Sequence, residues 1–177
     1  MRRATSLILV ASMFLLAGCL SPSGGPGIYY FDSEGLRIEV DIPAEPEGYA
    51  AEYLAYAEDN SGNTAISWAR VTAVNESEST KTVCSLTALD EEGIRVTSRT
   101  VRDLVTDVWD TIPINDVNGY NEGVRLINEL NDVPSVGTIL PGEKRVFYLA
   151  FERASINPSR IFGGEGFNCD EQARKSE

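Results

Sequence analysis

Alternation with a period of two narrows the folds open to this chain more than any other feature. Leu36 to Ile42 reads LRIEVDI, with Leu36, Ile38, Val40 and Ile42 apolar and Arg37, Glu39 and Asp41 charged. Successive side chains of a strand point to opposite faces, so such a segment buries one face and wets the other. Pro43 and Pro46 end it, because proline cannot donate to a ladder. Ile66 to Val74 and Lys81 to Leu89 are also strand-like, joined by the polar stretch Asn75-Glu76-Ser77-Glu78-Ser79. Asp90-Glu91-Glu92-Gly93 is a hairpin turn, after which Ile94 to Val101 alternates again and pairs back. Lys144 to Phe151 (KRVFYLAF) follows the turn Leu140-Pro141-Gly142-Glu143 and is the most apolar strand candidate after the N-terminal segment.

Helical signals are fewer. Val124, Ile127 and Leu130 repeat at helical spacing, which predicts a helix over Tyr120 to Leu130. Tyr49 to Ala57 reads as strand or short helix, and Val101 to Trp109 is equally open between the two. From Asn157 on, the chain reads as an irregular tail held mainly by Cys169. About six short strands joined by turns predict an antiparallel two-sheet sandwich with one helical insertion, an all-β fold over residues 28–177.

The front of the chain is of another kind. Met1-Arg2-Arg3 is a short basic start, and Ser6 to Leu16 (SLILVASMFLL) is almost wholly apolar. A run this short suits the core of an export signal better than a membrane span, which needs about 20 apolar residues. Leu16-Ala17-Gly18-Cys19 follows at once. The segment resembles a bacterial lipoprotein signal peptide, with Leu16-Ala17-Gly18-Cys19 matching the lipobox. The resemblance implies removal of residues 1–18, diacylglycerol on the Cys19 sulfur, and often a further acyl chain, such as palmitate, on the new amino group. Two or three acyl chains anchor a protein stably, whereas one is marginal. Leu20 stands where an Asp would favour inner-membrane retention, so in a cell with two membranes the expected place is the outer one, facing the periplasm. Residues 19–27, with the run LSPSGGPG from Leu20 to Gly27, read as a flexible tether.

With Cys19 acylated, Cys84 and Cys169 remain. An exported chain folds under oxidising conditions, so an even remainder predicts one disulfide, the alternative being two buried free thiols. A Cys84–Cys169 bridge would close a loop of about 85 residues, worth roughly 4–5 kcal/mol in a chain-entropy model.

Charge and composition exclude much. The formal net charge is −12, and loss of Arg2 and Arg3 would lower the basic count from 15 to 13 against 27 acidic residues. Such a surface repels nucleic acid and anionic head groups, so no nucleic-acid partner is expected. The chain has no His. Ser–His and Cys–His nucleophile pairs and imidazole bases are therefore impossible. Three cysteines cannot form a four-thiolate zinc site. No metal and no cofactor is expected.

Residues 66–151 also resemble the immunoglobulin-like domains of bacterial surface lipoproteins with an FxLYD-type pattern. The matching features are Val74-Asn75 before a polar turn, Ala88-Leu89-Asp90 with Gly93 in the turn, and Leu140-Pro141-Gly142-Glu143 before the closing strand. The resemblance implies an immunoglobulin-like β-sandwich. Segment 119–131 is extra to that pattern, Leu89 replaces its usual aromatic, and Trp68 precedes Cys84, so the Cys–Trp–Cys order of antibody domains is absent.

Several groups could carry chemistry. Asp90, Glu91 and Glu92 share a turn, and Asp103, Asp107 and Asp110 follow along one segment. Paired carboxylates serve as acid and base in glycoside hydrolysis when held about 5–9 Å apart, although a solvated face explains them more simply. Asn115-Asp116-Val117-Asn118-Gly119 and Asp59-Asn60-Ser61-Gly62-Asn63 offer oxygen ligands to calcium. The first fails the EF-hand register, with Arg125 where Glu should stand, and both read as turns. Tyr29, Tyr30 and Phe31 are expected to pack on the sandwich rather than form an exposed contact site. No catalytic residue is assigned. The expected function is a lipid-anchored, non-catalytic binding or assembly module of the cell envelope. Its partner would be a protein, reached through a sheet edge or the helical insertion. The alternative is an envelope hydrolase, or an accessory subunit, using paired carboxylates.

Overall fold

The structure is a computed structural model that describes residues 25–61, 66–90, 92–153, 156, 158–163 and 171–176. The chain opens with β1 (Gly27–Ser33) and β2 (Leu36–Ile42), a hairpin closed by Glu34-Gly35. Both loop residues have positive φ, 48° and 82°, and a two-residue loop of that hand matches the twist of its strands. Then come α1 (Tyr49–Asn60), β3 (Ser67–Asn75), β4 (Lys81–Val83), β5 (Thr87–Asp90), β6 (Arg95–Thr97) and β7 (Arg99–Thr100). Next are α2 (Val101–Thr111), α3 (Val117–Glu129), β8 (Gly137–Ile139) and β9 (Lys144–Phe151). The last described strands are β10 (Pro158–Gly163), β11 (Glu171–Gln172) and β12 (Arg174–Lys175).

These strands form a six-stranded antiparallel sheet in the order β12-β1-β2-β3-β9-β7, a four-stranded sheet β11-β10-β5-β6, and the pair β4-β8. One face of the large sheet buries Phe31, Ile38, Val40, Val71, Phe147 and Phe151 against Val83, Leu86, Ile139 and Ile161 of the smaller sheets and their connections. The alternation of LRIEVDI holds here, since Leu36, Ile38, Val40 and Ile42 are all buried. Opposite faces of β3 and β9 supply a second core. Trp68, Tyr148 and Ala150 pack there with Tyr53 and Ala57 of α1, Leu104 and Val105 of α2, and Leu126 of α3.

The expected all-β, immunoglobulin-like sandwich is therefore wrong. The fold is mixed, with three helices among the described residues covering part of the outer face of the large sheet. The two open segments both became helices for local reasons. In α2 the buried Val101, Leu104, Val105 and Val108 recur at helical spacing. A capping box starts that helix: the Thr100 hydroxyl accepts from the Asp103 N–H, and the Asp103 carboxylate accepts from the Thr100 N–H. In α1, Ala50, Tyr53, Tyr56 and Ala57 make the buried stripe, and no β-branched residue opposes the helix. The helix expected over Tyr120 to Leu130 is present and begins earlier, at Val117, because the Asp116 carboxylate caps the Gly119 N–H.

Two predicted strands each divide between sheets. Lys81 to Leu89 is split into β4 and β5, and Ile94 to Val101 into β6, β7 and the start of α2. The second break falls at Ser98, whose N–H donates to the Leu86 carbonyl while its hydroxyl accepts from the Leu86 N–H. The tail is not irregular throughout. β10 pairs with β5, and β12 joins β1, with Tyr29 opposite Lys175 and Tyr30 opposite Arg174. Tyr29 and Phe31 pack in the core as expected, whereas Tyr30 lies on the other face.

The turns read after Asn75 and at Pro141-Gly142 are present and bonded to each other. Asn75 is fully buried, and its side chain accepts from the Ser77 N–H and donates to the Ser79 and Ile139 carbonyls. Its backbone carbonyl accepts from the Gly142 N–H, and its N–H donates to the Glu143 carbonyl. The turns before and after this junction are thus tied together without the surrounding topology being that of an immunoglobulin domain.

Candidate functional site

The three helices lie toward one end of the large sheet and leave the rest of its outer face open. The uncovered part of β12, β1, β2, β3 and β9 forms a groove of about 520 Å3. Period-two geometry decides its lining: residues whose neighbours fill the core must face outward. Tyr30 sits between Glu39 and Arg174 across the strands. Arg37 stands opposite Asp32 on one side and Val74 on the other, and Thr72 faces Glu39. Lys144 pairs with Val74 at the far side. Arg37 also contacts the Glu76 carboxylate at 3.4 Å.

This lining departs from the rest of the chain in charge. Arg37, Lys144 and Arg174 face the groove against Asp32 and Glu39, so basic groups outnumber acidic ones on a protein of net charge −12. A tyrosine, a threonine and a valine interleave with those charges. Such a surface offers stacking, hydrogen bonding and charge pairing in one concavity.

Among the described residues, the carboxylates singled out in the sequence fall on or beside two separate elements. Asp90 ends β5 on the four-stranded sheet and Glu92 is in the turn after it, whereas Asp103, Asp107 and Asp110 ride on α2, on the opposite side of the large sheet. Glu91 lies outside the described residues. Asp103 is committed to its cap. Asp107 is paired with Arg99, which also approaches Glu152 at 3.5 Å. The Arg99 guanidinium holds the Asp107 carboxyl below its ordinary pKa, and Asp107 and Glu152 in turn raise that of Arg99. A carboxyl pushed down in this way is a poor proton donor near neutral pH.

The two oxygen-rich segments meet as helix ends and not as the expected turns: Asp59 and Asn60 close α1, Asp116 caps α3, and Gly62 and Asn63 lie outside the described residues. Asn60 closes α1 beside Gly119, and both line a second cleft with Glu52, Tyr56, Asp116 and Glu122. Several of its polar groups are already engaged. The Asn60 amide donates to the Tyr56 carbonyl at 2.8 Å, Asp116 caps α3, and Arg125 pairs with Glu52, Glu122 and Glu129. Burial pushes the Tyr56 hydroxyl up to about 12, with Glu122 and Asp116 adding to the shift. Among the described residues, no group of three or more His, Cys, Asp or Glu is placed to hold a metal ion.

Cys84 follows β4 and is disulfide-bonded. Its expected partner Cys169 and the expected lipidation site Cys19 both lie outside the described residues. Among the described residues, no helix is long and apolar enough to cross a membrane.

Sequence reasoning missed the groove. Its signal was present in the outward positions of the alternating strand, Arg37 and Glu39, which were assigned simply to solvent. Compared with known proteins, the chain matches no family model, no curated protein and no solved structure.

Proposed function

We propose that this chain is a lipid-anchored lipoprotein of the cell envelope whose folded part is a non-catalytic binding or assembly module, with a protein partner seated on the open face of the large sheet. The observation that carries the reading is the groove: three basic side chains and Tyr30 gathered on one face of a strongly acidic protein. The lining carries both signs, with Asp32 and Glu39 among the basic groups, and a surface of that pattern orients a partner whose charges match it. An acidic protein segment bearing an apolar or aromatic residue fits this lining. The engagement of Asp103 and Asp107 in a cap and an ion pair supports a binding role over a hydrolytic one. The leading segment, with Cys19 behind its short apolar run, supports the anchor and the envelope location.

The test is crosslinking in intact cells. A photoreactive residue at Thr72 should give one discrete protein adduct, and the same residue at the exposed Asn128 should not. Charge reversal at Lys144 and Arg174 together should abolish the Thr72 adduct. Equal labelling from both positions, or an adduct indifferent to the charge reversal, would refute the groove as the binding face.

A further inference from the structure

We infer that the turn between α2 and α3 is a membrane-contact wedge, in which Pro113, Ile114 and Val117 enter the interfacial layer of the bilayer that carries the Cys19 anchor. The inference rests on the lipid-anchor reading and adds to it a fixed orientation of the domain.

Exposure is the first support. Ile114 is 87% exposed and Val117 60%, the two most exposed large apolar side chains among the described residues. Pro113 beside them is exposed as well. Neither Ile114 nor Val117 belongs to either core. Three exposed apolar side chains within five residues of one interhelical turn favour an apolar or interfacial environment over water.

Position is the second. Gly27 pairs with Ile42, Asp41 with Arg70, and Ser67 with Phe151, so the start of β1, the start of β3 and the end of β9 lie at one end of the sheet. α2 begins where Thr100 pairs with Leu149. By Asp107 it has reached Arg99 and Glu152, just past the end of β9. Its last turn and residues 112–116 therefore continue beyond that end, where α1 also finishes, with Asn60 against Gly119. The apolar turn thus projects from the same end at which the chain runs back toward Cys19.

Reach is the third. Cys19 is six residues before Gly25, so the anchor lies within about 20 Å of the domain even with the chain fully extended. A short lead holds that end of the domain toward the lipid. The carboxylates beside the wedge, Asp110 and Asp116, select the surface it meets. Zwitterionic head groups with an ammonium suit them, and anionic lipid repels them.

The experiment uses the full-length acylated protein in vesicles of phosphatidylethanolamine and phosphatidylcholine. A nitroxide is attached through Ile114→Cys, or through Asn128→Cys at the far end of α3, and its depth is read from oxygen and water-soluble nickel quenching. Flotation of the vesicles reports the anchor separately. The expected result is a label at 114 about 5 Å below the phosphates, a label at 128 in water, and loss of depth at 114 when Val117→Asp is added while flotation persists. Protein that floats with a water-exposed label at 114 overturns the wedge alone. A label shielded from both quenchers means that protein covers the turn, which also overturns it. A depth unmoved by Val117→Asp does the same. Protein that fails to float overturns the anchor and the wedge together.

Discussion

A Cβ placed on Gly123 would fall 2.4 Å from the Tyr56 hydroxyl oxygen and 2.6 Å from Cδ1 of Trp109. α3 approaches α1 and α2 this closely only because position 123 has no side chain. Both neighbours are rigid aromatic rings, so neither can yield by turning a flexible tip aside. Gly123→Ala should therefore destabilise the domain by about 1–3 kcal/mol, the usual cost of overpacking, even though alanine is the better helix former. Thermal unfolding checks this. A melting temperature equal to or above that of the parent would show that the helices repack freely.

The cap on α2 is the second test. Thr100→Ala removes the acceptor for the Asp103 N–H and half of the capping box. The expected loss is about 1 kcal/mol. It should appear as a lower denaturant midpoint with an unchanged slope, because the exposed surface of the unfolded chain stays the same.

Two groups give opposite dependences on pH. The Asp107 carboxyl is held below its ordinary value by Arg99, so the folded state favours the ionised form. Its contribution is present above the unfolded pKa of about 3.9 and is lost as pH falls through the lower folded value. Asp107→Asn should flatten the acid limb of stability below about pH 4. The Tyr56 hydroxyl is raised from 10.0 to about 12. Its contribution is complete below pH 10.0 and is lost as pH climbs through about 12. Tyr56→Phe should remove the part of the alkaline limb due to this group. Melting temperature against pH for parent and variants measures both.

Anchoring is checked by Cys19→Ala, which should move the protein from the membrane fraction to the soluble one. Persistent attachment to membranes would count against acylation at this residue.

Cys84 is disulfide-bonded, and its expected partner is Cys169. Mass mapping of the non-reduced protein should yield a single crosslinked peptide pair containing both. Cys169→Ser should lower stability by up to about 4–5 kcal/mol, the chain-entropy value for a loop of about 85 residues. A free thiol on Cys169 in the native protein would end the assignment.

Legibility followed the range of the interaction. Leu36 to Ile42 and Lys144 to Phe151 are strands over the full spans read from their sequences, and the former keeps its predicted inward face. The α3 helix was visible in Val124, Ile127 and Leu130, although the first two are less buried than Leu126 on the neighbouring stripe. α2 carries a further local signal, since Thr100 and Asp103 stand at capping-box spacing around the start of its apolar pattern at Val101. The division at Ser98 has no such local signal, because it depends on Leu86, twelve residues away, whose carbonyl accepts from the Ser98 N–H and whose N–H donates to the Ser98 hydroxyl. β11 and β12 are two residues each, too short to show a period.

The order of residues alone was enough to define the strand period, the turns around Asn75 and Pro141, the missing imidazole chemistry and the excess of acid, because each is a property of neighbours along the chain or of composition. Which outward face stays open is another matter. Arg37, Lys144, Arg174 and Tyr30 come from four different strands and meet only when those strands pair in one register. They remain uncovered only because α1, α2 and α3 bury their apolar stripes against Trp68 and Tyr148 at one end of the sheet. Packing between distant segments made that choice, since the same outward residues under a helix would have been core.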